Sequence, residues 1–261
     1  MTANSHSLSR SLLLLSLLLL GGCATGGQPL SAARDLDPLE RSNRAVFAFN
    51  QRIDRVLFKP AAEIYKEQLP PALRSGISNF FRNLAEPTTV LNDILQGKGR
   101  QTINDGARFA INTTLGVFGL FDIAGSLGLV HHQEDYGQTL ARWGVPAGPY
   151  LVLPVFGPSN IRDAASKLPA LYLSDPLFLI SDEPYLGAGR YGLLHAGFRT
   201  LHAIDLRAQL LSADPFVELQ LDPYLFLREA YRQRRLHAIN DYQATEKEKI
   251  DPAVEEALFG D

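Results

Sequence analysis

The chain has 261 residues, 46% hydrophobic and 20% charged, which is enough to bury a sizeable core and incompatible with wholesale disorder. Its formal net charge of -3 excludes the broad basic field of a nucleic-acid binder. A single cysteine excludes an internal disulfide framework and any multi-cysteine zinc site.

The N-terminus carries His6 and Arg10 and no acidic residue before an apolar run from Ser11 to Leu20. Ten residues make a helix of about 15 Å, half the thickness of a bilayer core. A basic start followed by a short apolar run is a secretory signal rather than a membrane span. Leu20-Gly21-Gly22-Cys23 then resembles a bacterial lipobox, in which the cysteine is acylated and becomes the mature N-terminus. Ala24, where an aspartate would retain such a protein at the inner membrane, resembles an outer-membrane address. Residues 1–22 are therefore expected to be a lipoprotein signal peptide, Cys23 the lipidation site, and residues 23–36 a small, polar tether.

Folded structure is expected from residue 37 to residue 240. Asp37-Pro38-Leu39-Glu40 reads as N-cap, N1 and N3 of a helix. Apolar side chains at Val46, Phe49, Ile53, Val56 and Leu57 give that helix one apolar face, and Pro60 is expected to end it. A second helix follows Pro70-Pro71 through Leu84. A third, short one carries Val90 to Leu95 and stops at Gly97, and a fourth runs from about Gln101 to Leu115. Glycines 116, 119, 125 and 128 then break the helical pattern. In Leu151-Val152-Leu153-Pro154 the proline demotes a strand to an extended segment. Helical patterning resumes over Asn160 to Lys167 and, after an apolar block from Leu171 to Ile180, over Gly189 to Leu211, expected to be the longest helix. A last helix starts at Asp222-Pro223, and residues 241–261 form a charged, loose tail. Most apolar faces are expected to pack against one another, although those of a lipid-anchored chain can also lie on a bilayer. The fold class is mainly α, a single domain of amphipathic helices with Gly/Pro-rich loops and little or no β.

No catalytic constellation emerges. His131-His132-Gln133-Glu134-Asp135 holds metal-ligand residue types without H-x-x-x-H spacing and reads as a solvated loop, so no metal is expected. No G-x-S-x-G elbow, P-loop or dinucleotide fingerprint occurs, so no cofactor is expected. The Asp-Pro pairs at Asp37, Asp175, Asp214, Asp222 and Asp251 read as helix caps rather than acid catalysts.

Several blocks, in order, resemble one family. Asp37-Pro38-Leu39-Glu40-Arg41-Ser42-Asn43-Arg44 opens the series, followed by Asn83-Leu84-Ala85-Glu86-Pro87, Asn92 and Leu95-Gln96-Gly97. Next come Arg108-Phe109, Ile111-Asn112-Thr113-Thr114, Gly116 and Phe121-Asp122-Ile123-Ala124. Gly137-Gln138-Thr139-Leu140, Trp143-Gly144-Val145, Gly148-Pro149-Tyr150, Leu153-Pro154 and Arg162-Asp163 form the centre, and Asp222-Pro223-Tyr224 with Arg228-Glu229-Ala230-Tyr231 closes it. With the lipobox, these resemble the MlaA (VacJ) family of outer-membrane lipoproteins. The resemblance implies a ring-like, membrane-embedded helical domain with an amphipathic channel, lipid-anchored at the periplasmic face of the outer membrane. It implies removal of mislocalised phospholipid from the outer leaflet without covalent chemistry. The implied partners are the bilayer, a trimeric porin and a soluble periplasmic phospholipid carrier, with no nucleic acid. An envelope lipid or peptidoglycan hydrolase and a structural porin-associated lipoprotein stand as alternatives. In such a channel, Gly144 and Gly148 are candidate hinges of a gating loop; the competing reading is a static tight turn.

Overall fold

A computed structural model describes residues 37–173 and 190–241. Cys23, the signal and tether segments, the apolar residues 174–180, Asp175, Asp251 and the tail from 242 lie outside the described residues. Helix α1 spans Glu40–Ile53, and its N-cap position falls on Leu39 rather than Asp37. Asp37-Pro38 is used in the preceding turn, and the first helical bond runs from the Asn43 N–H to the Leu39 carbonyl at 2.8 Å. Glu40 accepts from Arg44, 2.7 Å away, instead of closing a capping box. Pro60 does not end the helix. A π-helical turn, Asp54–Phe58, carries the chain into α2, Lys59–Gln68, with Pro60 in its first turn. There the Lys59 N–H reaches back five residues to the Asp54 carbonyl. The widened turn removes the interior bond that a proline would break.

The expected second and third helices are one. Helix α3, Pro71–Gln96, is 26 residues long, runs through Pro87, and is closed by Gly97 in the left-handed conformation. Helix α4, Gly99–Thr114, folds back along it. The short α5, Ile123–Ser126, and α6, Tyr136–Arg142, are capped by Asp122 and Asp135, whose carboxylates accept from Gly125 and Gln138. Strands β1, Tyr150–Leu153, and β2, Gly157–Asn160, pair antiparallel with Tyr150 opposite Asn160. Pro154 lies just past β1, in the turn, so it removes no ladder donor and the extended segment becomes a hairpin.

Helix α7, Ile161–Leu173, follows, and then α8, Arg190–Leu210, a 3₁₀ turn Leu211–Ala213, α9, Asp214–Glu218, and α10, Pro223–Ile239. Asp222 caps α10 through the Tyr224 and Leu225 N–H groups. Asp214 is not a cap. It is the first residue of α9 and pairs with Arg207 at 2.8 Å and Lys59 at 3.1 Å. The apolar core is small: Ala62, Tyr65 and Ala208, flanked by Leu69, Ile77, Leu201, Ile204 and Leu211, between α2, α3 and α8.

The amphipathic faces point the opposite way from the expectation. Val56 is 77% exposed and Ile103 75%, and Phe49, Leu57, Leu73, Ile94, Leu115 and Phe121 also face outward. The one residue that α1 buries is Asn43. Among the described residues nine apolar side chains are buried against nineteen polar or charged ones, the reverse of a water-soluble interior. No described helix is long and apolar enough to cross a membrane.

Candidate functional site

Polar residues recur along α3 at helical spacing, Asn83, Glu86, Thr89, Asp93 and Gln96, and all are buried. They face Asp105, Arg108 and Asn112, the buried residues of α4. Burying such groups is tolerable only when they are paired. Arg108 supplies the pairing at one end, with Nε 3.3 Å from Glu86 and Nη2 3.0 Å from Asp122. Asn112 donates to Asp122 at 3.0 Å and accepts from the Ala124 N–H at 2.9 Å. Burial alone would raise the Asp122 pKa, but the Gly125 N–H, Asn112 and the Arg108 charge outweigh it and hold the carboxyl below the usual range.

At the other end Lys98 is 2.8 Å from Glu134. Gln96 bridges Glu134 (2.8 Å) and Thr139 (3.1 Å), and Thr139 donates to Asn92 at 2.6 Å. Burial, reinforced by the neighbouring Asp105 carboxylate, pushes the Asp93 carboxyl up to about 8. Asp93 is therefore protonated at neutral pH, which keeps two buried carboxyls from repelling each other. Residues 131–135 are not a solvated loop. His131 Nδ1 lies 3.1 Å from Glu86, His132 Nδ1 lies 3.0 Å from Asp105, and Glu134 is buried. These side chains serve the α3–α4 seam. No group of three or more His, Cys, Asp or Glu among the described residues is arranged to hold a metal.

A third polar node joins α6, β2, α7 and α10. The Arg235 Nη atoms contact Asp135 at 2.7 and 2.8 Å and Asp163 at 3.0 Å, while the Tyr231 hydroxyl donates to Asp163 at 2.6 Å. Gly137 lets the start of α6 close on this pair, because a Cβ there would collide with both Arg235 and Asp163.

Two asparagines of α1, seven positions apart, hold the free edge of β1. Asn43 donates to the Tyr150 carbonyl at 3.0 Å and accepts from the Val152 N–H at 2.9 Å. Asn50 donates to the Leu153 carbonyl at 2.9 Å and accepts from the Val155 N–H at 2.8 Å. The helix thus stands in for a third strand. Asn43 falls within a recognised sequence block, but only the seven-residue interval pairs it with Asn50.

Gly144 and Gly148 both take positive φ, 87° and 69°. The segment is tied down at Ala147 and on either side of the two glycines. Trp143 Nε1 donates to the Leu95 carbonyl at 3.1 Å, the Arg162 N–H to Ala147 at 3.1 Å, and the Ile161 N–H to Pro149 at 3.3 Å.

One cavity of about 400 Å³ opens beside α3 and has entirely apolar walls. Ile77, Phe80 and Phe81 form one side, Phe198 and Leu201 of α8 another, and the turn at 117–120 the third.

The class that the fold and site define is an α-helical body with a polar seam inside and large apolar side chains outside. The profile of the MlaA lipoprotein family matches residues 35–238, and the chain belongs to that family. It is 36% identical over 229 residues to the intermembrane phospholipid transport system lipoprotein MlaA of Shigella flexneri, covering 86% of each chain. The MlaA of Haemophilus influenzae is 30% identical over 242 residues, covering 92% of this chain and 93% of that one. A solved structure described as the structural basis for maintenance of bacterial outer membrane lipid asymmetry is 34% identical, with a TM-score of 0.67 over 78% of this chain and 99% of that one.

Proposed function

We propose that the protein is an outer-membrane lipoprotein that removes mislocalised phospholipid from the outer leaflet and passes it toward a soluble periplasmic carrier. The observation that carries this reading is the inverted burial, with polar groups inside, many of them paired, and large apolar side chains outside. An apolar exterior suits a protein lying within a leaflet, where those side chains replace lipid contacts rather than expose oil to water. The slow step in moving a phospholipid across a bilayer is desolvation of its head group. Polar side chains along the path lower that cost without a nucleotide or a covalent intermediate.

The same reading places Cys23 as the acylated anchor, with the domain at the periplasmic face and seated against a trimeric porin. The loop between Gly144 and Gly148, beside the hairpin that α1 clamps, gates the lipid path. Hydrolysis gains no support. His131, His132 and Glu134 are engaged with Glu86, Asp105 and Lys98, which gives each of them a place in the α3–α4 seam.

The test is a deletion strain complemented with the wild-type gene, scored with an amine reagent that labels only surface phosphatidylethanolamine. Labelling that rises on deletion and returns to the parental level on complementation supports transport. Unchanged labelling, or release of free fatty acid by the purified protein, counts against it.

A further inference from the structure

We propose that the apolar cavity between α3, α8 and the turn at 117–120 is a binding subsite for one acyl chain of a phospholipid, with the head group held at Asn79 and Arg82. This rests on the transport reading and specifies where on the protein the lipid is gripped.

The walls define the occupant. About 400 Å³ is within the range of small-molecule sites, and its wholly apolar lining offers nothing to a sugar, a phosphate or an ammonium group. An extended peptide is excluded on the same ground, because its backbone N–H and C=O groups would enter without partners. An aliphatic chain has no such groups. The walls are aromatic and already ordered. Phe80 stacks on Phe198 with centroids 6.2 Å apart, and Phe81 stacks on His202 at 4.4 Å. Burial holds the His202 pKa below its usual value, so the ring behind Phe81 is neutral at pH 7.

The third wall carries unusual backbone. Val117 and Phe118 sit at φ 54° and 56°, a conformation that a β-branched residue rarely adopts. Neighbouring bonds hold the turn there: the Phe118 N–H reaches the Thr113 carbonyl at 3.0 Å, and the Gly119 N–H reaches Asn112 at 2.8 Å. The result is a Phe118 side chain that lines the cavity while 71% of its surface remains exposed, so the cavity opens where the outer apolar surface begins.

The polar end is one helix face away. Ile77, Phe80 and Phe81 of α3 line the cavity, whereas Asn79, Arg82 and Asn83 line a small polar pocket with Asp122. The two meet at Leu120, whose side chain borders the cavity and whose carbonyl accepts from Asn79 at 3.3 Å. Arg82 donates to Asn79 on the same exposed face. Its guanidinium geometry suits a phosphodiester. That pocket holds only about 10 Å³, room for one water at most, so a head group rests on Asn79 and the exposed Arg82 at its rim and does not enter it. An apolar slot followed by a cation matches the order of acyl chain and phosphate along a phospholipid.

The experiment uses the full lipidated protein in vesicles of phosphatidylethanolamine and phosphatidylglycerol. The probe is a phospholipid bearing a diazirine near the middle of one acyl chain. Cross-linked peptides should concentrate on 117–120 and on the stretch around Phe198. Filling the cavity with Leu120→Trp, or independently with Leu201→Trp, should cut that yield about tenfold, the size of an overpacking penalty. Phe216→Trp, on an exposed position away from the cavity, should leave the yield unchanged. Labelling spread evenly over the outer apolar surface of the wild type overturns the subsite, as does a yield that survives both fillings in variants with wild-type melting. A cross-link seen only when the diazirine is carried on the protein's own anchor also overturns it. Cross-linking requires no transfer. Cavity labelling without lipid movement keeps the site and refutes transport, whereas movement without labelling refutes the site alone.

Discussion

Replacing Asn43 by alanine should detach the hairpin from α1. Asn43 is 1% exposed, and the Val152 peptide it reads is equally buried, so water cannot replace the lost amide. The buried Val152 N–H loses its acceptor and the part-buried Tyr150 carbonyl loses one donor. At about 1–3 kcal/mol for the buried group and about 0.5–1 kcal/mol for the part-buried one, the cost is roughly 2–4 kcal/mol. Asn50→Ala removes the same two kinds of bond from Leu153 and Val155. Val155 is 56% exposed, water can take the place of the amide, and the cost should stay near 1 kcal/mol. Because both clamps act on one strand, the double variant should lose less than the sum. Urea unfolding in detergent gives the free energies, and amide exchange at Val152 and Val155 reports the hairpin edge directly. A loss below about 0.5 kcal/mol for Asn43→Ala, within the ordinary scatter of surface substitutions, or equal losses at the two positions, would refute the reasoning.

Asp93 has a folded pKa above its unfolded value, so its neutral form stabilises the fold at low pH. That contribution is lost as pH rises toward about 8, by up to about 1.4 kcal/mol per pH unit. Asp93→Asn should flatten the fall in melting temperature between about pH 4 and about pH 8; parallel curves would contradict the carboxyl pair. Arg235→Met takes one of two guanidinium partners from the buried Asp163, which keeps Arg162 at 3.0 Å, and should cost about 2 kcal/mol in urea unfolding; a loss under about 0.5 kcal/mol would contradict a supporting role. Gly144→Ala and Gly148→Ala both force an L-residue into positive φ, at about 1–2 kcal/mol each. Gly148→Ala also presses on Ile161, 3.2 Å from the new Cβ. With a gate in this loop, surface phospholipid should rise further than the fall in melting temperature explains; loss that merely tracks melting leaves a static turn. Cys23→Ser should leave the protein unacylated and outside the outer-membrane fraction, and normal fractionation would contradict anchoring at that residue.

Helix existence was legible from periodicity, because the 3.6-residue alternation of polar and apolar side chains is the same whichever side faces inward. Its direction was not. Val46, Phe49 and Ile53 mark one face of α1, continued by Val56 and Leu57 of the π-turn, yet nothing in that spacing says that Asn43 is the residue buried. The polar positions of α3, from Asn83 to Gln96, carried the missing signal: a helix with a charged stripe as regular as its apolar one has two candidate interiors. Prolines misled for a physical reason. Pro60 reads as a stop, but a π-turn absorbs it, and Pro87 lies inside the 26-residue α3, where the polar seam with α4 holds the helix in register. The hairpin was missed because Pro154 sits one residue past the strand. Of the site, the left-handed glycines 144 and 148 could be anticipated from residue type, whereas the meeting of Asp163 with Arg235 depends on long-range packing that no local pattern encodes.

The inverted surface is tested most directly by asking which solvent touches it. The single native tryptophan can be removed as Trp143→Phe and new ones placed at Phe49, Phe121, Phe156 or Phe216, all exposed, or at the buried Tyr65. In vesicles, phospholipids brominated along their acyl chains should quench the four exposed positions strongly while aqueous iodide barely reaches them, and neither quencher should reach position 65. Quenching of the exposed positions by iodide and not by brominated chains would place that surface in water and contradict the account.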